Sequence, residues 1–159
     1  MKSFKILIMF GILNLFNNCK TGNDVNDFQD DKFKVGQIWK YQNRTDEDNS
    51  KITILKVEKY NDNEIVIHIY VNGIKIKNEL RPNEISEEIG HLPMSKESMN
   101  KSVKNLVSEN NKLPDYKEGY KNWKEAFDKK EGGIFTIEIK EAVKFVEETM
   151  KSGKKTENN

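Results

Sequence analysis

Two imidazoles and one thiol, His68, His91 and Cys19, are the side chains best suited to neutral-pH chemistry in this chain of 159 residues. Imidazole is the side chain that titrates near pH 7 without help, so acid-base or metal work at that pH falls to the two histidines. His68 lies in an alternating Val, Ile and Tyr run, where alternation places it beside Tyr70 on the polar side of a strand, exposed and facing Lys77. His91 belongs to Gly90-His91-Leu92-Pro93, which reads as an irregular loop between strand and helix, a position from which a rigid scaffold presents binding groups. Glu87 and Glu88 lie nearby, but this set lacks the ligand spacing of a zinc site, so neither metal nor cofactor is expected. Tyr116, Tyr120, Trp123 and Phe127 recur at intervals of four, three and four residues, the stripe of one helix face. Such a stripe suits packing on a sheet, and its rings also suit a ligand groove. His91, Trp39, Trp123, Tyr116 and Tyr120 are therefore the candidate ligand- or partner-binding residues.

Recognisable catalytic patterns are absent: there is no Gly-x-Ser-x-Gly, His-Glu-x-x-His, Gly-x-x-x-x-Gly-Lys or dinucleotide fingerprint. Glu87-Glu88 and Glu147-Glu148 are neighbours in sequence, which says nothing of two carboxylates facing each other across a cleft. No catalytic residue is assigned, and the expectation is a non-enzymatic protein. With 27 Lys and Arg against 26 Asp and Glu, the formal charge is +1, far from the concentrated basic surface that nucleic acid requires. Arg44 and Arg81 are the only guanidinium groups. A single cysteine excludes a disulfide scaffold.

The N-terminus reads as an address. Lys2 and Lys5 precede the apolar run Ile6-Leu7-Ile8-Met9-Phe10-Gly11-Ile12-Leu13, which is too short to span a bilayer and has the layout of a secretory leader. Leu15-Phe16-Asn17-Asn18-Cys19-Lys20 then places the thiol where a bacterial lipoprotein signal is cut and acylated, although Asn18 stands where that family usually has Gly, Ala or Ser. The chain thus resembles a bacterial lipoprotein precursor. That resemblance implies a signal peptide over residues 1–18, lipidation (palmitate among the acyl groups) at Cys19, and a cell-envelope location, membrane-anchored and facing the periplasm or the cell surface. Residues 21–32, TGNDVNDFQDDK, are rich in Asp and Asn, so residues 19–33 are expected to be a lipidated, acidic, flexible tether. Residues 151–159 are expected to be a frayed tail.

Between them, residues 34–150 read as one α+β domain: an antiparallel β-meander with a late additional strand, packed against about three helices. Val- and Ile-rich segments predict strands over residues 35–42, 51–60, 64–71 and 74–80, with Asn72-Gly73 as a type I′ hairpin. That hairpin pairs Val71 with Ile74 and puts Ile65, Ile67, Ile69, Val71, Ile74 and Ile76 on one apolar face. Ser95 caps a helix expected to run to about Glu109, and Asp115 caps a second reaching about Lys130. A fifth strand is expected over residues 134–139, and a last helix over 141–150 with Ala142, Phe145, Val146 and Met150 on one face. VGQIWKY, EIGHLPMS, LPDYKEGYKNWKEAFD and GGIFTIEIKEAVKFVEE together resemble a family of small uncharacterised bacterial proteins. This likeness implies one domain over most of residues 35–150 and carries no activity with it.

The expected function is that of a lipid-anchored, non-enzymatic envelope protein binding a macromolecular partner, in an inhibitor or immunity-type role. The alternatives are a small-ligand-binding module or an enzyme with an unrecognised site. The anchor is directly testable: Cys19→Ser is expected to abolish acyl labelling and move the protein into the aqueous phase of a detergent extraction. Unchanged membrane retention would count against lipidation.

Overall fold

The structure, a computed structural model, describes residues 25–60, 64–78 and 81–153. Cys19, the leader and residues 154–159 lie outside the described residues. The fold is α+β. Strands β1 (Val25–Asp27), β2 (Gln37–Tyr41), β3 (Lys51–Tyr60), β4 (Glu64–Lys77), β5 (Ile85–Ser95) and β6 (Val103–Glu109) form one antiparallel sheet. Helix α1 (Lys96–Ser102) falls between β5 and β6, followed by α2 (Lys117–Asp128) and α3 (Ile139–Gly153). The order β5-β4-β3-β2-β6 makes β2 to β5 a meander and β6 the late additional strand, while β1 pairs with the far end of β3.

The two faces bury different things. Ile52, Ile54, Val57, Ile67, Ile69, Val71, Ile74, Ile76, Leu92 and Met94 line one face and pack on Met99 of α1 and Ile139, Ala142 and Val143 of α3. Val66 lies on the other, covered by Trp123 and Phe127 of α2. A strict two-residue alternation cannot produce this pattern, and three register irregularities explain it. In β3, Ile54 pairs with Ile69 but Lys56 pairs with His68, so Leu55 is an extra residue. In β5, Leu92 pairs with Ile69 but Ile89 pairs with Val71, which makes the Gly90-His91 step a bulge. In β4, the register against β5 slips between Asn72 and Ile76. One extra residue sends every later side chain to the opposite face. The bulge at Leu55 keeps Val57 in the main core with Ile54 and turns Lys56 and Glu58 toward α2.

Several expectations are corrected. No hairpin forms at Asn72-Gly73: β4 runs straight through it, and the expected fourth strand is its continuation. Gly73 does adopt positive φ (+71°), but Asn72 does not, whereas a type I′ turn requires both. The glycine serves a bulge, and the long β4 keeps β5 as a partner over most of its length. The expected helix from Ser95 is cut short. Ser95 caps it through Ser98 N–H (3.1 Å), but the Ser102 carbonyl accepts Gln42 N–H (2.9 Å), and the chain leaves as edge strand β6. Residues 134–139 are not a strand: Phe135 makes an isolated bridge to Met94, and Ile139 opens α3. Phe145 and Met150, expected on the inner face of the last helix, are exposed, and Val143 takes an inner place instead.

The expected tether is structured from Val25 onward, since β1 pairs with β3 and Asp30 is buried, accepting Phe33 N–H (2.9 Å) and pairing with Lys96. The C-terminal tail is helical through Gly153, with Lys151 paired to Glu147 (3.0 Å). Asp115 sits one residue before the N-cap, Tyr116, and accepts Lys117 N–H (3.2 Å) in a short Asx turn. Arg44 ties the β2–β3 connection to α3 by donating to buried Glu47 (2.5 Å) and to Glu147 (2.7 Å). Glu47 in turn accepts Lys75 N–H (2.7 Å) from β4.

A Cβ at position 73 would sit 3.0 Å from Ser50 Cα and 3.2 Å from Asn49 O, both backbone atoms. Gly73→Ala is accordingly expected to lower stability by about 1–3 kcal/mol, combining the left-handed penalty with this contact. A urea titration followed by circular dichroism checks it, and an unchanged midpoint would refute the requirement for glycine in this bulge.

Candidate functional site

The α2 face of the sheet carries an unusual polar chain. Glu58 on β3 is 2% exposed and His68 on β4 is fully buried. His68 Nε2 is 2.9 Å from Glu58 Oε2, and His68 Nδ1 is 2.8 Å from His91 Nε2 on β5. The other Glu58 oxygen accepts Tyr120 O–H from α2 (2.8 Å) and pairs with Lys56 Nζ (2.7 Å). Lys56 also pairs with Asp27 of β1. Adjacent strands placed these groups in line: the bulge at Leu55 brought Glu58 to this face, and the bulge at Gly90-His91 set His91 beside His68.

Aromatic rings from α2 enclose the pair. The imidazoles stack at 5.0 Å, Trp123 meets His68 edge-on at 4.7 Å, and Tyr120 does so at 5.2 Å. Trp123 Nε1–H donates to Gly133 O (2.9 Å), so the buried indole has a partner. Helix α2 approaches closely because position 119 has no side chain: a Cβ there would stand 2.8 Å from His91 Cβ. Outside this enclosure lies a surface pocket of about 360 Å³ lined by Ile89, Gly90, His91, Asp115, Tyr116, Glu118 and Gly119. Tyr116 sits edge-on to Tyr120 at 6.3 Å.

The electrostatics follow from burial and bonding. Burial pushes the Glu58 carboxyl up, but bonds from His68, Lys56 and Tyr120 outweigh it and hold the pKa at about 2. His68 is pushed down by burial against the pull of Glu58, with Lys56 adding to the fall. A true Glu58–His68 ion pair would raise His68. Lys56 therefore supplies the counter-charge, and His68 contributes a neutral N–H. His91 is lowered to about 4, chiefly by burial and then by the positive charge that His68 gains in acid. Tyr120 is raised by burial and by donating to the Glu58 carboxylate, so it stays a phenol.

These states fix the direction of every hydrogen bond. Ionised Glu58 only accepts, so His68 carries its proton on Nε2, its Nδ1 is an acceptor, and His91 must donate from Nε2. His91 Nδ1 is then the unprotonated nitrogen, and no described residue hydrogen-bonds to it.

The structure brings together four of the expected site residues, His91, Tyr116, Tyr120 and Trp123, and leaves out Trp39. Trp39 belongs to the opposite core, edge-on to Phe33 at 5.7 Å, with Nε1–H donating to Gln37 Oε1 (3.1 Å). His68 is not exposed and does not face Lys77; its strand neighbours are Lys56 and Pro93. His91 stands in β5 rather than in a loop. Lys56 and Glu58 were not singled out. The signal for them was the switch in apolar phase from Ile52 and Ile54 to Leu55 and Val57, the mark of a bulge in KITILKVEKY. Among the described residues no three of His, Cys, Asp and Glu are grouped to hold a metal ion. No known protein family, curated protein or solved structure matches this chain.

Both groups make the fold sensitive to acid. Between 6.5 and about 4 the unfolded chain binds a proton that folded His91 refuses, so stability falls as pH drops through that window. Glu58 adds a further loss as pH falls from 4.5 to about 2. His91→Gln is expected to shrink the loss in the upper window, leaving the share due to His68, and to preserve the lower one. Urea midpoints measured from pH 7 to pH 3 check this, and identical profiles for the two proteins would refute it.

Proposed function

We propose that this chain is a lipid-anchored protein of the bacterial cell envelope, facing the periplasm or displayed at the cell surface, whose α+β domain is a non-catalytic binding module with its ligand site at the His91 pocket. The leader-like N-terminus and Cys19 support the anchor. The six peptide steps from Cys19 to Val25 span at most about 20 Å, so an acylated Cys19 keeps the domain close to the bilayer. Among the described residues no helix is long and apolar enough to cross a membrane.

The observation that carries the binding reading is the buried Glu58–His68 pair standing behind His91, which lines a surface pocket. Such a chain locks one imidazole in one tautomer and orientation, which is how a polar recognition group is made rigid. Catalysis is less well served. A base lowered to about 4 is poorly matched to proton abstraction at neutral pH, and the pocket lining holds no Ser, Thr, Cys or Lys nucleophile.

A macromolecular partner, in an inhibitor or immunity-type role, is the second reading. Its support is the outer edge of β6, where Leu106 and Val107 are each 42% exposed. Native mass spectrometry of the full chain, released from membranes in mild detergent, separates the two. A bound small molecule lost on Tyr116→Ala is the expected result. A co-purifying protein retained by Tyr116→Ala but lost on Leu106→Lys would transfer the function to β6.

A further inference from the structure

The ligand class can be read from the polarity of the hydrogen-bond chain, an inference that rests on the His91 pocket being the binding site. We propose that the pocket recognises an organic cation, a ligand presenting a primary ammonium group to His91 Nδ1 between the carboxylates of Asp115 and Glu118.

Three independent features converge on this class. The first is the direction of the relay. An ionised, buried Glu58 accepts from His68, His68 accepts from His91, and His91 is left with an unprotonated nitrogen that only a donor can satisfy. An anionic ligand would meet that lone pair and be repelled. The second is the lining. Asp115 and Glu118 are its charged members, and neither has an ion-pair partner among the described residues. The groups facing His91 from the sheet, His68 and Glu58, and from α2, Tyr120 and Trp123, carry no positive side-chain charge, and the positive end of the α2 dipole lies beside the Asp115 and Glu118 carboxylates, which offset it. Lys56, whose ammonium lies over the Tyr120 ring, is spent on Glu58 and Asp27. The third is shape. Exposed Gly90, where an added Cβ would meet nothing within 4 Å, leaves the pocket without side-chain cover on the β5 side, and the Tyr116 ring offers a face on which a cation or an attached apolar group can rest.

Matched probes of one size test the idea: benzylammonium, benzyl alcohol and benzoate, titrated by NMR into the full chain carrying Cys19→Ser. Benzylammonium is expected to give saturating shifts at Gly90, His91 and Tyr116, about tenfold tighter than the alcohol. Benzoate is expected to leave these signals in place. Long-range nitrogen–proton correlation is expected to show His91 protonated on Nε2. Asp115→Asn together with Glu118→Gln, which keeps the Asx turn's acceptor, is expected to abolish the advantage of ammonium over alcohol while leaving the fold intact. Saturation by benzoate or the alcohol equal to that by ammonium, or a His91 proton on Nδ1, overturns the cation assignment and leaves the pocket as a binding site. Failure of all three probes to perturb the pocket overturns the assignment and the binding-site reading together.

Discussion

A carboxylate buried in a sheet face must be paired, and Glu58 is the group whose pairing the rest of this architecture serves. Leaving it bare would cost several kcal/mol, of the order found when one partner of a buried ion pair is removed. Three elements therefore converge on it. Lys56 comes from the same strand, His68 from the neighbouring strand and Tyr120 from the helix above. Each of those donors is itself held in place by the next contact outward. Asp27 draws β1 against β3 through Lys56, His91 is stacked on His68, and Tyr116 lies edge-on to Tyr120. The chemistry at the surface is the last link of a chain whose first is an internal charge.

That chain exists because the sheet is two-faced. On the side of α1 and α3 the strands present an almost wholly apolar layer, closed by Met99, Ile139, Ala142 and Val143. On the side of α2 the apolar contacts are few, with Val66, Trp123 and Phe127 at their centre, and polar groups fill the remaining space. Bulges at Leu55 and at Gly90-His91 are the devices that sort residues between the faces. Bulges next to functional groups re-aim side chains, and here one aims Glu58 and the other aims His91. Edge strand β6 is also irregular, its register against β2 shifting on both sides of the Trp39–Leu106 pair. Such irregularity blunts an open edge against pairing with another chain, which supports the pocket over β6 as the proposed binding surface.

Much of the fold was legible, and the parts that were not have a common cause. The Val- and Ile-rich strands, the aromatic face of α2 and the Ser95 cap were readable because each depends on residues within one turn or one strand. Asn72-Gly73 was read as a turn because positive φ at a glycine is a local preference that a hairpin and a bulge share. The helix expected beyond Ser102 was lost to a backbone bond with Gln42, sixty residues earlier in the chain, which local propensity does not report.

Of the site, the sequence by itself determined the inventory: two histidines, an aromatic stripe at helical spacing and a strand whose apolar phase changes at Leu55. Only the tertiary structure decided that His68 is buried, that it lies between Glu58 and His91, and that Trp39 belongs to the other core. The reason is physical. Alternation assigns a side chain to a face relative to its own strand, whereas the register across strands, and hence which groups touch, is decided by bulges and by the cost of leaving a buried charge without partners.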